Sequence, residues 1–224
     1  MELRFLGHAA FALSDGATTV LIDPFLTGNP RAAASADELD ATTILLTHGH
    51  ADHIGDTVAI AKRTGATVVA VVELANEIGG EGVDVRDPNL GGTEAFEWGS
   101  AKLVPAWHTA VSPSGTAHIA AGLLVDFKGT TVYHLGDTCL FSDLQLAGRG
   151  REIDVALVPI GGHYTMDRHD AVEAARLVGA KTVVPIHYDT FPPIATDAQA
   201  YKADVEAQTG SQVVVLAPGE TLSP

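Results

Sequence analysis

The sequence contains a single cysteine, Cys139, among 224 residues. One cysteine cannot form an intramolecular disulfide, which excludes a disulfide-stapled scaffold and fits a reducing compartment. No run of about 20 apolar residues occurs, so no membrane-spanning helix is predicted. The first residues, MELRFLGHAAFALSDG, also lack the basic region and long apolar run of a secretory signal. We therefore expect a cytoplasmic protein with no membrane partner.

Basic residues are scarce as well. The chain has 13 lysine and arginine residues against 28 acidic residues, which gives a formal net charge of -15. Nucleic-acid affinity depends on lysine and arginine side chains that neutralise phosphates, so this balance argues against a nucleic-acid partner. Hydrophobic residues make up 46% of the chain, which is too many for a disordered protein. We expect a folded protein that acts on a small-molecule substrate.

Short β-prone runs alternate with segments of helical periodicity along the chain, and no linker divides it. The predicted strands are residues 3–6, 10–13, 18–22, 43–46, 67–72, 103–107, 122–127, 131–135, 155–160, 182–186 and 212–216. The predicted helices are residues 54–61, 167–178 and 197–208, and residues 81–99 are interpreted as loops. This order predicts one α/β domain over residues 1–224, with two packed sheets and helices outside them.

The densest group of potential metal ligands is the hexad His48-Gly49-His50-Ala51-Asp52-His53, at a predicted strand-to-helix junction. Neutral imidazoles and ionised carboxylates suit a borderline divalent ion such as zinc. The i, i+2 spacing of His48 and His50 directs both rings to one side of an extended backbone. Asp52 and His53 begin the helix and can face a second ion. Four ligands therefore converge from one turn.

Three further candidate ligands, His108, Asp137 and His187, each come one or two residues after a predicted strand. Taken singly, each is a common kind of polar residue at a strand end. One turn cannot complete the coordination of two ions, however, so further ligands are needed from other strand ends. Together with the hexad, the three residues predict a two-ion site on one rim of a rigid scaffold.

Several strings resemble the metallo-β-lactamase superfamily, and they are spread over nearly the whole chain: GHAAF, LIDPFLTGNP, LLTHGHADHIGD, YHLGDTCLFSD and PIHYDTFP. They are most similar to its small bacterial metal-dependent hydrolases related to ascorbate-6-phosphate lactonase. The resemblance implies a four-layer αββα sandwich. It also implies that His48, His50 and His108 bind the first ion, that Asp52, His53 and His187 bind the second, and that Asp137 bridges both.

The expected cofactor is a pair of divalent ions, with zinc favoured over manganese and both favoured over iron. The resemblance implies a hydrolase that uses a hydroxide shared by the two ions on a lactone, ester or phosphoester. Asp52 is the candidate catalytic residue that orients this hydroxide. The resemblance also implies assembly as a homo-oligomer.

Two other functions remain open. The same ligand types support an iron-dependent oxidative enzyme of the same fold, although no motif for a flavin domain or for glutathione is present. A non-catalytic binding module stapled by metal is the second alternative. Structural zinc sites close with four protein ligands, whereas seven candidates shared by two ions leave coordination positions for water. The ligand count therefore favours catalysis.

The roles of His8, Asp23 and His163 stay open. Asp23 is a candidate acceptor for the free N–H of a ligating histidine, or else a turn residue before Pro24. His163 lies in IGGHYTM, where the related hydrolases often have aspartate and asparagine. It is a second candidate catalytic residue that contacts the substrate or donates a proton.

The other histidines, His118, His134 and His169, are interpreted as packed or solvated side chains.

Overall fold

Two mixed β-sheets pack face to face, and α-helices cover their outer surfaces. The computed structural model describes residues 1–224. The arrangement is the four-layer αββα sandwich that the sequence predicts. No helix combines the length and the apolar character needed to span a membrane.

The first sheet has seven strands in the order β14-β1-β2-β3-β4-β5-β6. Its strands are β1 (Glu2–Gly7), β2 (Ala10–Ser14), β3 (Thr19–Ile22), β4 (Thr43–Leu45), β5 (Thr67–Val69), β6 (Val85–Arg86) and β14 (Thr221–Leu222). Strands β1 to β3 form an antiparallel meander, as expected, and β3 to β6 are parallel.

The second sheet also has seven strands, in the order β13-β12-β11-β10-β9-β8-β7. Its strands are β7 (Thr93–Phe96), β8 (Gly99–Val111), β9 (Ala117–Phe127), β10 (Thr130–His134), β11 (Val155–Pro159), β12 (Thr182–Ile186) and β13 (Gln212–Val213). Strands β7 to β10 are antiparallel, and β10 to β13 are parallel.

Five α-helices complete the fold: α1 (Ala51–Ile54), α2 (Thr57–Thr64), α3 (Val72–Gly80), α4 (Arg168–Val178) and α5 (Ala198–Gln208). Three short 3₁₀ helices lie at Ala36–Glu38, Ser142–Leu146 and Pro192–Ile194. The carboxylate of Asp167 accepts hydrogen bonds from two backbone N–H groups at the start of α4, and Asp197 does the same for α5. These caps fix where the two helices begin, as their sequences predict.

Strand β9 shows how the sandwich divides its apolar side chains. Leu123, Val125 and Phe127 pack in the core between the sheets, whereas Leu124 packs in the core under α4 and α5. A strand buried on both faces reads as a continuous apolar run, because neither face needs polar side chains.

Two expectations about the middle of the first half are wrong. The run 67–72 is not one strand, because β5 ends at Val69 and α3 begins at Val72. No side-chain cap marks the start of α3, so its β-branched sequence hides the boundary. Residues 81–99 are not only loops, since they include β6 and β7. These are short strands at sheet edges and carry little apolar pattern.

The parallel strands bring polar side chains to one rim. Parallel strands end at the same edge of a sheet, and ligands bind beyond those carboxyl ends. In the first sheet, Asp23 follows β3 and the hexad follows β4. In the second sheet, Asp137 follows β10 and His187 follows β12. The fold therefore places all four segments around one site.

Candidate metal centre

The hexad adopts the turn that its position predicts. His50 has an extended backbone conformation and is the N-cap residue of α1, whose first turn contains Asp52 and His53. His48 and His53 are buried, whereas His50 and Asp52 are partly exposed. Nε2 of His48 lies 3.0 Å from Nδ1 of His50. One turn thus presents two imidazoles to one point and two further candidate ligands beside it.

The first predicted ligand set is brought together. One nitrogen atom from each of His48, His50 and His108 lies within 4.8 Å of the others. His108 lies in β8 within a register shift between Pro105 and Thr109, where the strand bulges. A β-bulge changes the direction in which a side chain points, and here the His108 side chain points toward the hexad.

The second predicted ligand set is also brought together, and the observed cluster contains one further residue, His8, whose role the sequence does not define. Ligand atoms of Asp52, His53 and His187 lie within 4.8 Å of one another, and His8 belongs to the same cluster. Nε2 of His187 lies 3.9 Å from Oδ2 of Asp52.

Asp137 lies between the two sets. Its Oδ2 atom is 3.7 Å from Nε2 of His108, 4.0 Å from Nε2 of His48 and 3.1 Å from Nε2 of His187. Its Oδ1 atom is 3.4 Å from Nε2 of His53. A single carboxylate therefore faces histidines of both predicted ions, as a bridging ligand requires.

The donor atoms fit divalent metal ions. His53 Nε2, Asp137 Oδ1 and His187 Nε2 are buried and have no hydrogen-bond partner. Buried polar atoms are nearly always paired, because an unpaired one costs about 1–3 kcal/mol. Imidazole nitrogens and a carboxylate oxygen that converge in this way are the ligands that zinc accepts.

The electrostatic environment keeps most of these ligands in their binding form. Burial lowers the pKa of His48 well below its ordinary value, and it also lowers the pKa of His50 and His108. Burial opposes ionisation of Asp137, but the nearby His187 and His53 outweigh it and lower the pKa of that carboxyl group. Neutral imidazoles and an ionised carboxylate are the forms that bind a metal ion.

His53 differs from the other histidines. Burial opposes its protonation, but the carboxylates of Asp137 and Asp23 outweigh burial and raise the pKa of His53 well above its ordinary value. The same negative potential that favours a proton at this ring favours a divalent cation. A cation bound at this ring would displace the proton.

Residues 2–187 match the sequence family described as a β-lactamase superfamily domain. The chain belongs to the metallo-β-lactamase superfamily. It is 48% identical to a UPF0173 metal-dependent hydrolase from Thermus thermophilus, over 99% of this chain and 98% of that one. It is 44% identical to a UPF0173 metal-dependent hydrolase from Pelotomaculum thermopropionicum, over 99% of both chains. This places it among the UPF0173 metal-dependent hydrolases.

A solved structure agrees with this membership. Igni18, described as a novel metallo hydrolase from the hyperthermophilic archaeon Ignicoccus hospitalis, is 35% identical to this chain. The TM-score is 0.90, and the match covers 99% of this chain and 97% of Igni18. The resemblance that the sequence motifs carry is therefore confirmed for both the superfamily and the fold.

In this metallo-β-lactamase domain, Asp23 contacts the ring nitrogen of His53 that does not face Asp137. Its Oδ2 atom accepts a hydrogen bond from Nδ1 of His53 across 2.7 Å, and its carboxylate also accepts from the backbone N–H and hydroxyl of Thr47. A carboxylate that holds one ring nitrogen fixes the tautomer and leaves the other nitrogen free for a metal ion. The structure thus favours the supporting role of Asp23 over the role of a turn residue.

His8 holds Asp52. Its Nε2 atom lies 3.2 Å from Oδ2 of Asp52, and its Nδ1 atom lies 2.8 Å from the hydroxyl of Thr190. Burial lowers the pKa of His8 to about 4, although Asp52 opposes this effect. The ring is therefore neutral near pH 7 and can donate one hydrogen bond to the Asp52 carboxylate.

Three residues at the centre have left-handed backbone conformations, which non-glycine residues seldom adopt. The φ angles are 61° for His8, 44° for Asp23 and 55° for His187. Such conformations cost on the order of 1–3 kcal/mol and persist where surrounding contacts enforce them. The backbone N–H of His187 donates to the carbonyl of His8 at 2.8 Å, which ties the two sheets together at the site.

His118 and His134, which were expected to be packed or solvated, form hydrogen bonds with the segments that carry the candidate ligands. Nε2 of His118 accepts a hydrogen bond from the backbone N–H of Gly49 at 2.8 Å. Nδ1 of His134 accepts from the backbone N–H of Gly136 at 3.0 Å, and its Nε2 donates to the carbonyl of Ala9 at 2.9 Å. Each ring fixes backbone beside a ligand. The residues joined by the His118–Gly49 and His134–Ala9 bonds are 69 and 125 positions apart in the sequence, so no local pattern predicts these bonds.

Thr138 connects three segments of the rim. Its hydroxyl accepts a hydrogen bond from the backbone N–H of Trp107, next to His108. Its carbonyl accepts from the backbone N–H of Met166, in the loop that follows β11. The positions of Asp137 and His108 are therefore coupled through their neighbours in the chain.

His163 is exposed, and its ring packs edge-on against Tyr164 at 4.4 Å. Tyr164, rather than His163, lines the cavity at the metal centre. This cavity has a volume of about 400 Å³ and is also lined by His50, Asp52, His108, Thr109, Asp137, His187, Phe191 and Pro193. A catalytic role for His163 stays a prediction. His169 is exposed on α4, as expected.

Proposed function

We propose that the protein hydrolyses a lactone, ester or phosphoester at two divalent ions held by the seven predicted ligands. The observation that carries this proposal is the position of Asp137, whose two oxygens face His48 and His108 on one side and His53 and His187 on the other. Zinc is the proposed metal, because imidazole nitrogens dominate the donor set.

The bound ions would lower the pKa of water to near neutrality and polarise the oxygen of the attacked carbonyl or phosphoryl group. The protein supplies the positioning. His48, His50 and His108 would hold the first ion, Asp52, His53 and His187 the second, and Asp137 both. Asp23 and His8 would keep His53 and Asp52 in place through the hydrogen bonds described above.

Asp52 is the proposed catalytic carboxylate. Its side chain is partly exposed and lines the cavity, so it is accessible to water and to a substrate. Hydrogen bonding from His8 and the charge of His53 lower the pKa of Asp52 despite its burial. An ionised carboxylate at this position can accept a hydrogen bond from the attacking water and orient it.

Cavity and charge support a small-molecule substrate. The cavity lies within the size range of small-molecule sites, about 300–1,000 Å³. The net charge of -15 supports neither nucleic acid nor another polyanion as the partner. A cytoplasmic location is part of the proposal, and the lone Cys139 supports it.

The test is a substrate screen on one preparation in three states: stripped of metal, reconstituted with zinc and reconstituted with iron. Lactones, esters, phosphoesters and amides are compared. The expected result is that the zinc-loaded protein hydrolyses one of these classes and that the metal-free protein does not. Oxygen consumption by an iron-loaded sample without hydrolysis of any substrate would favour the oxidative alternative and overturn the proposal. Stable metal binding with neither reaction would favour the non-catalytic module.

A further inference from the structure

An apolar cavity adjoins the cavity at the metal centre. It has a volume of about 680 Å³ and shares His108 and Thr109 with the metal-centre cavity. Its wall is mainly apolar and includes Leu90, Pro105, Ala106, Trp107, Ile119 and Phe141. The two cavities therefore meet at the segment of β8 that contains the candidate metal ligand His108.

The bulge in β8 builds both the metal centre and the apolar wall. The register shift between Pro105 and Thr109 contains His108, which faces Asp137, and Trp107, whose residue surface is 67% exposed. The ring of Trp107 lies 6.4 Å from that of Phe141 in an edge-on arrangement. The backbone N–H of Trp107 donates to the hydroxyl of Thr138, which anchors this part of the apolar wall beside Asp137.

The charges of the two cavities define what they accept. No lysine or arginine lines either cavity, and the acidic residues that do are Asp52, Asp137 and Asp143. Asp143 lies in the apolar cavity itself. A remote phosphate or carboxylate on the substrate would meet this carboxylate instead of a cation. An uncharged apolar group would meet Trp107, Ile119 and Phe141.

We propose that the apolar cavity binds the alkyl or aromatic group of an uncharged ester or lactone whose scissile carbonyl lies at the metal centre. This inference rests on the proposed hydrolase function and narrows it. In the reaction, the oxygen of water bonds to the carbonyl carbon and the acyl C–O bond breaks. A proton from water passes to the leaving alkoxide, so an ester yields a carboxylic acid and an alcohol. A lactone yields a hydroxy acid.

Cys139 gives a readout that does not depend on catalysis. It is the single cysteine of the chain, is exposed, and lines the apolar cavity. The zinc-loaded protein is treated with a thiol reagent in the presence of acetate, butyrate, hexanoate or octanoate. Octanoate should slow the reaction of Cys139 and acetate should not, with apparent affinity rising about threefold to fourfold per added methylene. Equal protection by acetate and octanoate would overturn the proposal.

Two variants sharpen this measurement. Ile119→Ala should weaken protection by octanoate at least several-fold, because it removes part of the apolar wall and lies on β9, which carries none of the seven proposed metal ligands. Val111→Ala is the matched control, since Val111 is also exposed on the β8–β9 hairpin but does not line the cavity. It should behave as the unmodified protein does. Equal effects of the two variants would contradict the assignment of this cavity.

The second experiment is kinetic. The kcat/KM values for p-nitrophenyl esters should rise from acetate to octanoate, and Ile119→Ala should lower the octanoate value about tenfold and the acetate value by a much smaller factor. An ester whose acyl chain ends in a free carboxylate should react more slowly than the uncharged ester of equal length. A flat chain-length series would overturn the inference.

The two experiments separate failure of the inference from failure of the proposed function. Protection of Cys139 by octanoate without hydrolysis of any ester or lactone would support the apolar site and contradict the hydrolase proposal. Hydrolysis without chain-length dependence would do the reverse. A Cys139 reaction rate that falls with protein concentration and ignores octanoate would mean that a second copy of the chain covers the cavity, which contradicts the proposal.

Discussion

The carboxylate of Asp23 accepts a hydrogen bond from Nδ1 of His53 at 2.7 Å, and both side chains are fully buried. Asp23 directly follows β3, whereas His53 lies in α1, which comes after the adjacent parallel strand β4. The bond leaves Nε2 of His53 facing Asp137. A carboxylate at the end of β3 thus fixes the direction of a predicted metal-binding ring on α1.

Asp23→Asn should weaken binding of the second ion by about 10–100-fold, because the neutral amide holds His53 less firmly and no longer supplies negative charge near the ion. In this variant, the first ion should be bound more tightly than the second. Competition with a chelator of known affinity measures both steps. Asp37→Asn, at an exposed position, is the matched control. Equal weakening of both ions in Asp23→Asn would contradict the assignment of His53 to the second ion.

Asp137→Ala should reduce occupancy of both ions, because this carboxylate faces histidines of both sets. His108→Ala should mainly weaken the first ion, and His187→Ala the second. Elemental analysis of the three proteins, prepared and dialysed side by side, makes the comparison. Loss of one ion only in all three variants would be inconsistent with a bridging carboxylate.

Asp52→Ala should lower turnover more than it lowers metal content. His53 and His187 can still hold the second ion, whereas the attacking water loses its orienting carboxylate. A displacement of about 1 Å at such a position can cost on the order of 100-fold in rate. Turnover and metal content are measured on the same preparation. A variant with both ions bound and near-normal turnover would overturn the proposed role of Asp52.

His118→Ala should destabilise the metal-free protein by about 1–3 kcal/mol, because the backbone N–H of Gly49 loses its acceptor in a partly buried position. A Cβ atom on Gly49 would lie 2.8 Å from side-chain atoms of both His118 and Leu74, so a larger residue there would displace these side chains. Urea unfolding measures the change. The control is His169→Ala, an exposed site where the change should stay within about 0.5 kcal/mol. Similar values for the two variants would rule out the supporting role of His118.

Much of this site could be predicted because its ligands are close in sequence or follow strong apolar strands. The hexad supplies four ligands within six residues, and the predicted strand before His187 matches β12 (Thr182–Ile186) residue for residue. Strand ends are local features, and parallel strands then bring them to one rim. Local pattern was therefore enough for the seven ligands to be proposed together.

The remaining features depend on contacts between distant segments. His118 and His134 act through backbone groups on other elements, and His8 reaches Asp52 from across 44 residues. Helix α3 was hidden because apolar, β-branched residues run through the end of β5 without a capping side chain at Val71. Tertiary packing decides such segments, and local propensity does not.

The most direct test of the central claim is a zinc titration of the metal-free protein, with bound metal per chain and hydrolytic turnover measured on the same samples. The substrate is whichever lactone, ester or phosphoester proves active in the screen. The account predicts saturation at two ions per chain, with turnover that appears as the second ion binds. Saturation at one ion or none, or undiminished turnover in the metal-free protein, would contradict it.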